Sequence, residues 1–300
     1  MDGIALHGII FIDKPAGITS SEVVRRIKAI VKPARVGHLG TLDPFATGLL
    51  PIMIGEGTKL APFLEGGTKQ YQGVIRLGAE TDTLDRDGAV VRTAAIPALD
   101  RARLDQLAAR FTGAIEQVPP IFSALKRGGV RLYDLARRGG EVAPPPARRV
   151  EIRMLTLEAD GAAALRFAVE CSTGTYIRSL ARDIGVALGS AAHLAELRRI
   201  RSGHFVIEDA HPLAQALASL GGAGDAGAGL IGMRDALADL PEVEVDSGLE
   251  RRIRHGDAAA LGAPAGATLF KVLYGGRLLA IANAEPPAGA RLIRVFSAET

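Results

Sequence analysis

The chain has 300 residues, 48% hydrophobic and 23% charged, with a formal net charge of +3. That length suits one large domain plus a small one, and no uncharged apolar run approaches the roughly 18–20 residues of a membrane span. A single cysteine, Cys171, excludes an intramolecular disulfide and fits a reducing cytosol, so a cytoplasmic protein is expected.

The first segment, MDGIALHGIIFIDK, carries acids around a short apolar run and lacks a basic start, so it reads as a strand and not as a signal peptide. GIIFIDKP (Gly8–Pro15) is a buried strand closed by proline. Thr19 or Ser20 can N-cap the helix SEVVRRIKAIV. A loop around Asp43 follows, then a short apolar strand, LLPIMIG, and one or two helical turns in TKLAPFL. KQYQGVIRLG alternates as a strand does, and Asp100 to Phe111 returns to helical spacing. VEIRMLTLE and ALRFAVECS are strand-like, and a helix is expected from Tyr176 to Leu188. GGAGDAGAG (221–229) is a low-complexity break, with a short helix expected near Arg234–Leu240. Beyond it, VEVDSGLERRIRHGD, ATLFKVLYGGRLLAIAN and ARLIRVF read as short strands with glycine turns.

Charge is concentrated in one place. Between Lys126 and Arg149 stand seven basic residues (Lys126, Arg127, Arg131, Arg137, Arg138, Arg148, Arg149) against two acids (Asp134, Glu141). The segment is framed by Pro119-Pro120 and Pro144-Pro145-Pro146, which makes it an excursion from the domain. A patch of this kind is the footprint of a polyanionic partner, or else a solvated face.

Other motifs dissolve on inspection. GAGDAG (Gly222–Gly227) follows a helical run and lacks the strand–turn–helix context of a dinucleotide site. TLDRDG (Thr83–Gly88) begins on threonine, and its twelfth position is Ala94, so it is a turn and not a calcium loop. Cys171 lies in an apolar strand pattern suited to packing. The six histidines show no metal-ligand spacing, and neither metal nor cofactor is expected.

What remains is VGHLGTLDPFATGLLPI (Val36–Ile52), a loop of glycines and threonines around the lone carboxylate of Asp43. A carboxylate working without metal serves as base, as nucleophile, or as partner to a developing cation. Glycosidic chemistry uses all three roles, usually with a second acid to protonate the leaving group. With no second acid near, the loop suits a reaction whose leaving base is not released but re-bonds at another atom.

Here the chain resembles the TruB family, tRNA pseudouridine synthases that isomerise uridine 55 in the T loop. FIDKPAGITS (Phe11–Ser20), GHLGTLDPFATGLL (Gly37–Leu50), KQYQ (Lys69–Gln72) and LGAETDTLDRDG (Leu77–Gly88) match its blocks. VPPIFSALKRGGVRLYDLARRG (Val118–Gly139), CSTGTYIRSLARDIG (Cys171–Gly185) and HLAELRRI (His193–Ile200) follow in order. The resemblance implies a mixed α/β (α+β) pseudouridine-synthase fold, with a largely antiparallel mixed sheet flanked by helices. Residues 1–240 would form the catalytic domain, with an RNA-clamping insertion at about 119–149. Residues 241–300 would form a PUA-like β-barrel that contacts the acceptor end.

By the same resemblance Asp43 is the essential acid at C1′ of the target sugar, Tyr71 stacks on the base and assists proton transfer, and Arg178 pairs with Asp43. Leu197 would close the apolar wall, His38 would sit at the flipped-out base, and Lys14 and Tyr176 would support the pocket. Arg131, Arg137 and Arg138 would contact phosphates. The expected partner is tRNA, through its T arm and acceptor stem, bound by a monomer without a membrane or protein partner. Two other readings stay open: an RNA-binding tRNA-folding chaperone, and a guide-RNA-dependent relative acting on ribosomal RNA.

Overall fold

The computed structural model describes residues 6–32, 34–123, 143–222, 229–285 and 289–297, together with the backbone of 126–127 and 130–131. Its strands are β1 (Gly8–Lys14), β2 (Val36–His38), β3 (Thr47–Ile54), β4 (Lys69–Leu77), β5 (Ala79–Thr81), β6 (Val90–Thr93) and β7 (Gly113–Gln117). There follow β8 (Lys126–Arg127), β9 (Val130–Arg131), β10 (Arg148–Ala159), β11 (Ala164–Cys171), β12 (Ala192–Ser202), β13 (Phe205–Val206), β14 (His211–Pro212) and β15 (Leu230–Ile231). The last four are β16 (Glu242–Glu244), β17 (Leu269–Tyr274), β18 (Arg277–Glu285) and β19 (Gly289–Val295). Helices are α1 (Ser20–Ile30), α2 (Ala61–Leu64), α3 (Arg101–Phe111), α4 (Ile177–Ala187), α5 (Leu213–Leu220) and α6 (Ser247–Arg254).

An 11-stranded sheet carries the body, in the order β14-β1-β3-β12-β4-β11-β10-β7, with β2, β13 and β15 attached at its sides. The pairings β1–β14 and β3–β12 are parallel, and the others in this sheet are antiparallel. The mixed, largely antiparallel sheet expected from the resemblance is present.

The centre of the sheet is buried on both faces, which explains why β1 reads as an unbroken apolar run. Ile10 and Ile12 face a core with Val23 and Ile27 of α1 and with Leu50 and Ile52 of β3. Ile9 and Phe11, alternating to the other side, join Leu49, Met53 and Phe205. That second cluster also holds Leu273, Leu278, Ile281 and Phe296, so the C-terminal strands share a core with the body. Each such side chain contributes about 1.5–3 kcal/mol when fully buried.

Helix α1 starts where its cap predicts: Thr19 accepts a hydrogen bond from the Glu22 amide at 3.0 Å. Glu22 in turn receives Arg25 and Arg26, each at 2.7 Å.

The C-terminal residues form a four-stranded sheet, β16-β17-β18-β19, around Val245, Phe270, Val272 and Leu279. One sequence expectation fails here. Ser247–Arg254 is a helix, not a strand: Asp246 caps it through the Leu249 amide at 2.8 Å, and Ile253 alone is fully buried on it. The short helix expected near Arg234–Leu240 is a single 3₁₀ turn, Asp235–Leu237. Most of the 221–229 break lies outside the described residues.

Candidate active site

The loop between β2 and β3 holds Asp43, and it is tied down on both sides of that residue. Ser20, at the start of α1, accepts from the Leu42 amide at 2.9 Å and donates to the Leu42 carbonyl at 3.0 Å. The Pro44 carbonyl receives the Gly17 amide at 2.9 Å and the Lys14 ammonium at 3.2 Å. Lys14 Nζ also donates to the carbonyls of Pro15 (2.9 Å) and Ile18 (2.7 Å). Lys14 is fully buried, and burial pulls its pKa from 10.5 down to about 8 against the pull of Asp43. Through these three bonds Lys14 fixes the backbone next to Asp43. Two glycines make the loop possible. Gly40 has φ 76° and Gly48 has φ 97°, and a Cβ at Gly48 would lie 2.3 Å from the Arg199 carbonyl oxygen.

Arg178 reaches Asp43 from the first turn of α4. Its Nε lies 2.9 Å from Asp43 Oδ2, and its Nη2 donates to Oδ1 at 3.2 Å. The guanidinium is held from behind, with Nη1 donating to the Thr83 carbonyl and Nη2 to the Phe122 carbonyl, both at 2.9 Å. A second carboxylate, Asp85, lies 3.5 Å from Nη1. Burial raises the pKa of Asp85, while Thr83 and Arg178 oppose the rise. Arg178 is 6% exposed and Asp43 32%, so the arginine is a buried anchor and the acid faces outward. The helix that carries Arg178 is placed by Gln117, which receives the Tyr176 amide at 2.8 Å and donates to the Tyr176 carbonyl at 3.0 Å. Tyr176 also lies under the Arg148 guanidinium, 4.5 Å from its ring centre.

Tyr71 is buried in β4, directly opposite Arg199 of β12 and Val169 of β11. Burial raises its phenol pKa, and the Arg199 guanidinium opposes that rise. Leu197, two residues before Arg199, faces Gly73 of β4, so Tyr71, Leu197 and Arg199 share one face of the sheet. Leu197 and Phe45 line a cleft of about 590 Å³, which Arg86, Arg166 and Arg198 also line. Asp43 and Tyr71 are not among its walls, although Phe45 follows Asp43 by two residues and Leu197 precedes Arg199, the partner of Tyr71 across the strands, by two.

His38 ends β2 and leads into the loop, half-buried, with Nδ1 enclosed and without a hydrogen-bond partner. Burial, and then Arg199, lower its pKa. The side chains of Arg131, Arg137 and Arg138 lie outside the described residues.

Two participants went unread in the sequence. Asp85 sits inside TLDRDG, dismissed as a turn, which it is: Asp85 accepts from Thr83 Oγ1 at 2.7 Å and from the Asp87 amide at 3.1 Å. Its second oxygen is what faces Arg178. Arg199 was one of two adjacent arginines in HLAELRRI, and strand alternation turns it inward while Arg198 pairs with Asp13 at 2.8 Å. Among the described residues, no group of three or more His, Cys, Asp or Glu side chains is placed to hold a metal ion. Cys171 is buried, with its thiol pushed up to about 11 by that burial, which fits packing and not nucleophilic duty.

Known proteins resemble this arrangement along the chain. Residues 28–177 match the model of the TruB family pseudouridylate synthase N-terminal domain, and residues 178–223 match the tRNA pseudouridylate synthase B C-terminal domain. A tRNA pseudouridine synthase B of Geobacter sulfurreducens is 40% identical, over 97% of this chain and 100% of its own. One from Xanthomonas campestris pv. campestris is 44% identical over 84% of this chain and 81% of its own. Among solved structures, the crystal structure of a Cbf5-Nop10-Gar1 complex aligns with a TM-score of 0.72 at 26% identity, covering 99% of this chain and 86% of that one. With a family model matching half of the chain and relatives matching most of it, the chain belongs to the TruB family of pseudouridylate synthases.

Proposed function

We propose that this protein isomerises uridine 55 in the T loop of tRNA to pseudouridine, with Asp43 as the acid that works at C1′. The observation that carries this reading is the Asp43–Arg178 pair: a carboxylate aimed outward and held by a buried guanidinium at 2.9 Å. The tRNA substrate is supported by the names of relatives about 40% identical over most of the chain.

In the isomerisation the C1′–N1 bond breaks, a C1′–C5 bond forms, C5 loses a proton and N1 gains one. Nothing is oxidised and no water is consumed. Cleavage leaves positive character at C1′ and negative charge on the base. A carboxylate held and aimed by Arg178 answers the first, as nucleophile or as electrostatic partner. Tyr71 stacks on the base, and Leu197 and Phe45 supply the apolar wall that receives a uridine taken out of its stack. The arginines lining the cleft contact phosphates, and His38 stands at the gap left in the T loop. The basic insertion, with Arg131, Arg137 and Arg138, clamps the RNA, and the 241–300 module acts as a PUA-like contact to the acceptor end. The protein works as a cytoplasmic monomer without cofactor or protein partner.

A guide-RNA-dependent reading is weaker. The Cbf5 complex is 26% identical to this chain, against 40% for the Geobacter synthase over comparable length. The test is chemical mapping of pseudouridine in an unmodified tRNA transcript incubated with this protein alone. Modification at position 55 is expected. Modification only after a guide RNA or further proteins are added would reject the stand-alone reading.

A further inference from the structure

Arg199 is fully buried, yet among the described residues it takes part in no ion pair. Its Nε donates to the Leu49 carbonyl at 2.7 Å and its Nη2 to the Gly40 carbonyl at 3.0 Å. Nη1 is enclosed without a hydrogen-bond partner, 3.2 Å from where a Cβ on Gly40 would stand. The charge is felt nearby: burial lowers the pKa values of Lys14, His38 and Lys69, Arg199 lowers them further, and it opposes the burial-driven rise at Tyr71. Lys14 is itself buried, and Lys69 is half-buried. Asp43, the acid that shares these surroundings, is already taken by Arg178.

A buried cation without a counter-charge is expensive, and packing does not require it. Arg199 sits directly across from Tyr71 and two residues from Leu197, on the face where the target base is received. We propose that Arg199 supplies the electrostatic stabilisation of the base while it is detached. When C1′–N1 breaks, the bonding pair leaves with N1 and the uracil becomes an anion. That charge is then spent as C5 bonds to C1′, loses its proton, and N1 is protonated. Arg199, fixed by two carbonyls, is a permanent positive charge beneath the base at the moment the charge develops, with no reorganisation needed. It touches Tyr71 and the loop, not the reacting atoms. The inference rests on the isomerase reading above.

Two variants test it. Arg199→Met removes the charge at similar length, and Arg199→Lys keeps it on a group that titrates. Each is checked for folding by thermal melting and for RNA binding by filter retention. Single-turnover disappearance of the starting nucleoside, which reports C1′–N1 cleavage, is then measured on T-arm stem-loops carrying uridine or 5-fluorouridine; the fluorinated base is the more acidic leaving group, and its C5 has no proton to lose in the later step. Arg199→Met is expected to slow the uridine substrate about 100-fold. The factor should be smaller on 5-fluorouridine, which needs less help to carry negative charge. Equal factors on both substrates would overturn the proposal and leave Arg199 as an anchor of the loop. Should Arg199→Met fail to fold, Arg199→Lys still decides. A lysine near Lys14, His38, Lys69 and Tyr71, with Asp43 as the nearby acid, should lose its proton at moderately alkaline pH. Its rate should therefore fall there while the wild-type rate does not; parallel profiles would overturn the proposal. Wild-type inactivity on the uridine stem-loop would instead reject the isomerase reading itself.

Discussion

Replacing Arg178 with methionine removes one side chain and strands four groups. Asp43 loses contacts at 2.9 and 3.2 Å, the carbonyls of Thr83 and Phe122 each lose a donor at 2.9 Å, and Asp85 loses a cation at 3.5 Å. Breaking a buried pair from one side commonly costs about 3–5 kcal/mol. Asp43 is 32% exposed, so water can reach it and the low end applies, about 3 kcal/mol. Asp85 has no such relief. Its pKa is already raised by burial, and losing Arg178 should raise it further. If a similar energy is lost from the transition state because Asp43 is no longer held and aimed, the rate falls about two orders of magnitude, at about 1.4 kcal/mol per tenfold. The assay is single-turnover pseudouridine formation with enzyme in excess, beside filter binding of the same tRNA and a thermal melt. The expected result is a severe loss of rate with near-normal affinity. Normal chemistry with weakened affinity would refute the reasoning and make Arg178 a phosphate contact.

Further outcomes follow from the same geometry. Lys14 holds its proton less tightly in the fold (about 8) than in the unfolded chain (10.5), so between these values the unfolded chain carries more protons. Stability therefore gains a rising contribution as pH climbs through that window, and melting of Lys14→Met against pH should lack it. A slope shared by both proteins would assign it to other groups. Alanine at Arg131, Arg137 and Arg138 should flatten the log–log salt dependence of tRNA binding by roughly 0.7–0.9 per lost phosphate contact; an unchanged slope makes them a solvated face. Truncation after Leu240 removes Leu273, Leu278, Ile281 and Phe296 from the core they share with Ile9 and Phe11. It should lower the melting temperature as well as the affinity for whole tRNA, and an unchanged melt would contradict that shared core.

Sequence periodicity was most legible where burial is one-sided or complete. β1 and β3 show as apolar runs because both their faces are covered, α1 shows through its cap, Thr19, and α3 through its helical spacing, with Asp100 proving to be its cap. Helix α6 was missed because only Ile253 is fully buried on it and Gly248 interrupts the pattern. The signals present were polar: Asp246 as cap, and Glu250 four residues before Arg254, a pair that does form. The arginines of that helix are also more occupied than the sequence suggests, with Arg252 bound to Asp257 at 2.9 Å and Arg254 to the Phe296 carbonyl at 3.2 Å. At the site, the motif named Asp43, Tyr71 and Arg178 because each stands in a distinctive block. Arg199 and Asp85 also lie in matched blocks, HLAELRRI and LGAETDTLDRDG, but the resemblance assigns them no role. Their importance comes from which way a strand or a turn points a side chain, and two adjacent arginines read alike until alternation buries one of them.

The central claim is that the Asp43 carboxylate performs the isomerisation. Its most direct test is single-turnover pseudouridine formation at position 55 of an unmodified tRNA transcript by Asp43→Asn, with tRNA affinity measured in parallel. The amide keeps the shape and can still accept from Arg178, but it can act neither as nucleophile nor as anion. No detectable pseudouridine and nearly unchanged binding are expected. Appreciable turnover by the asparagine variant would contradict the claim.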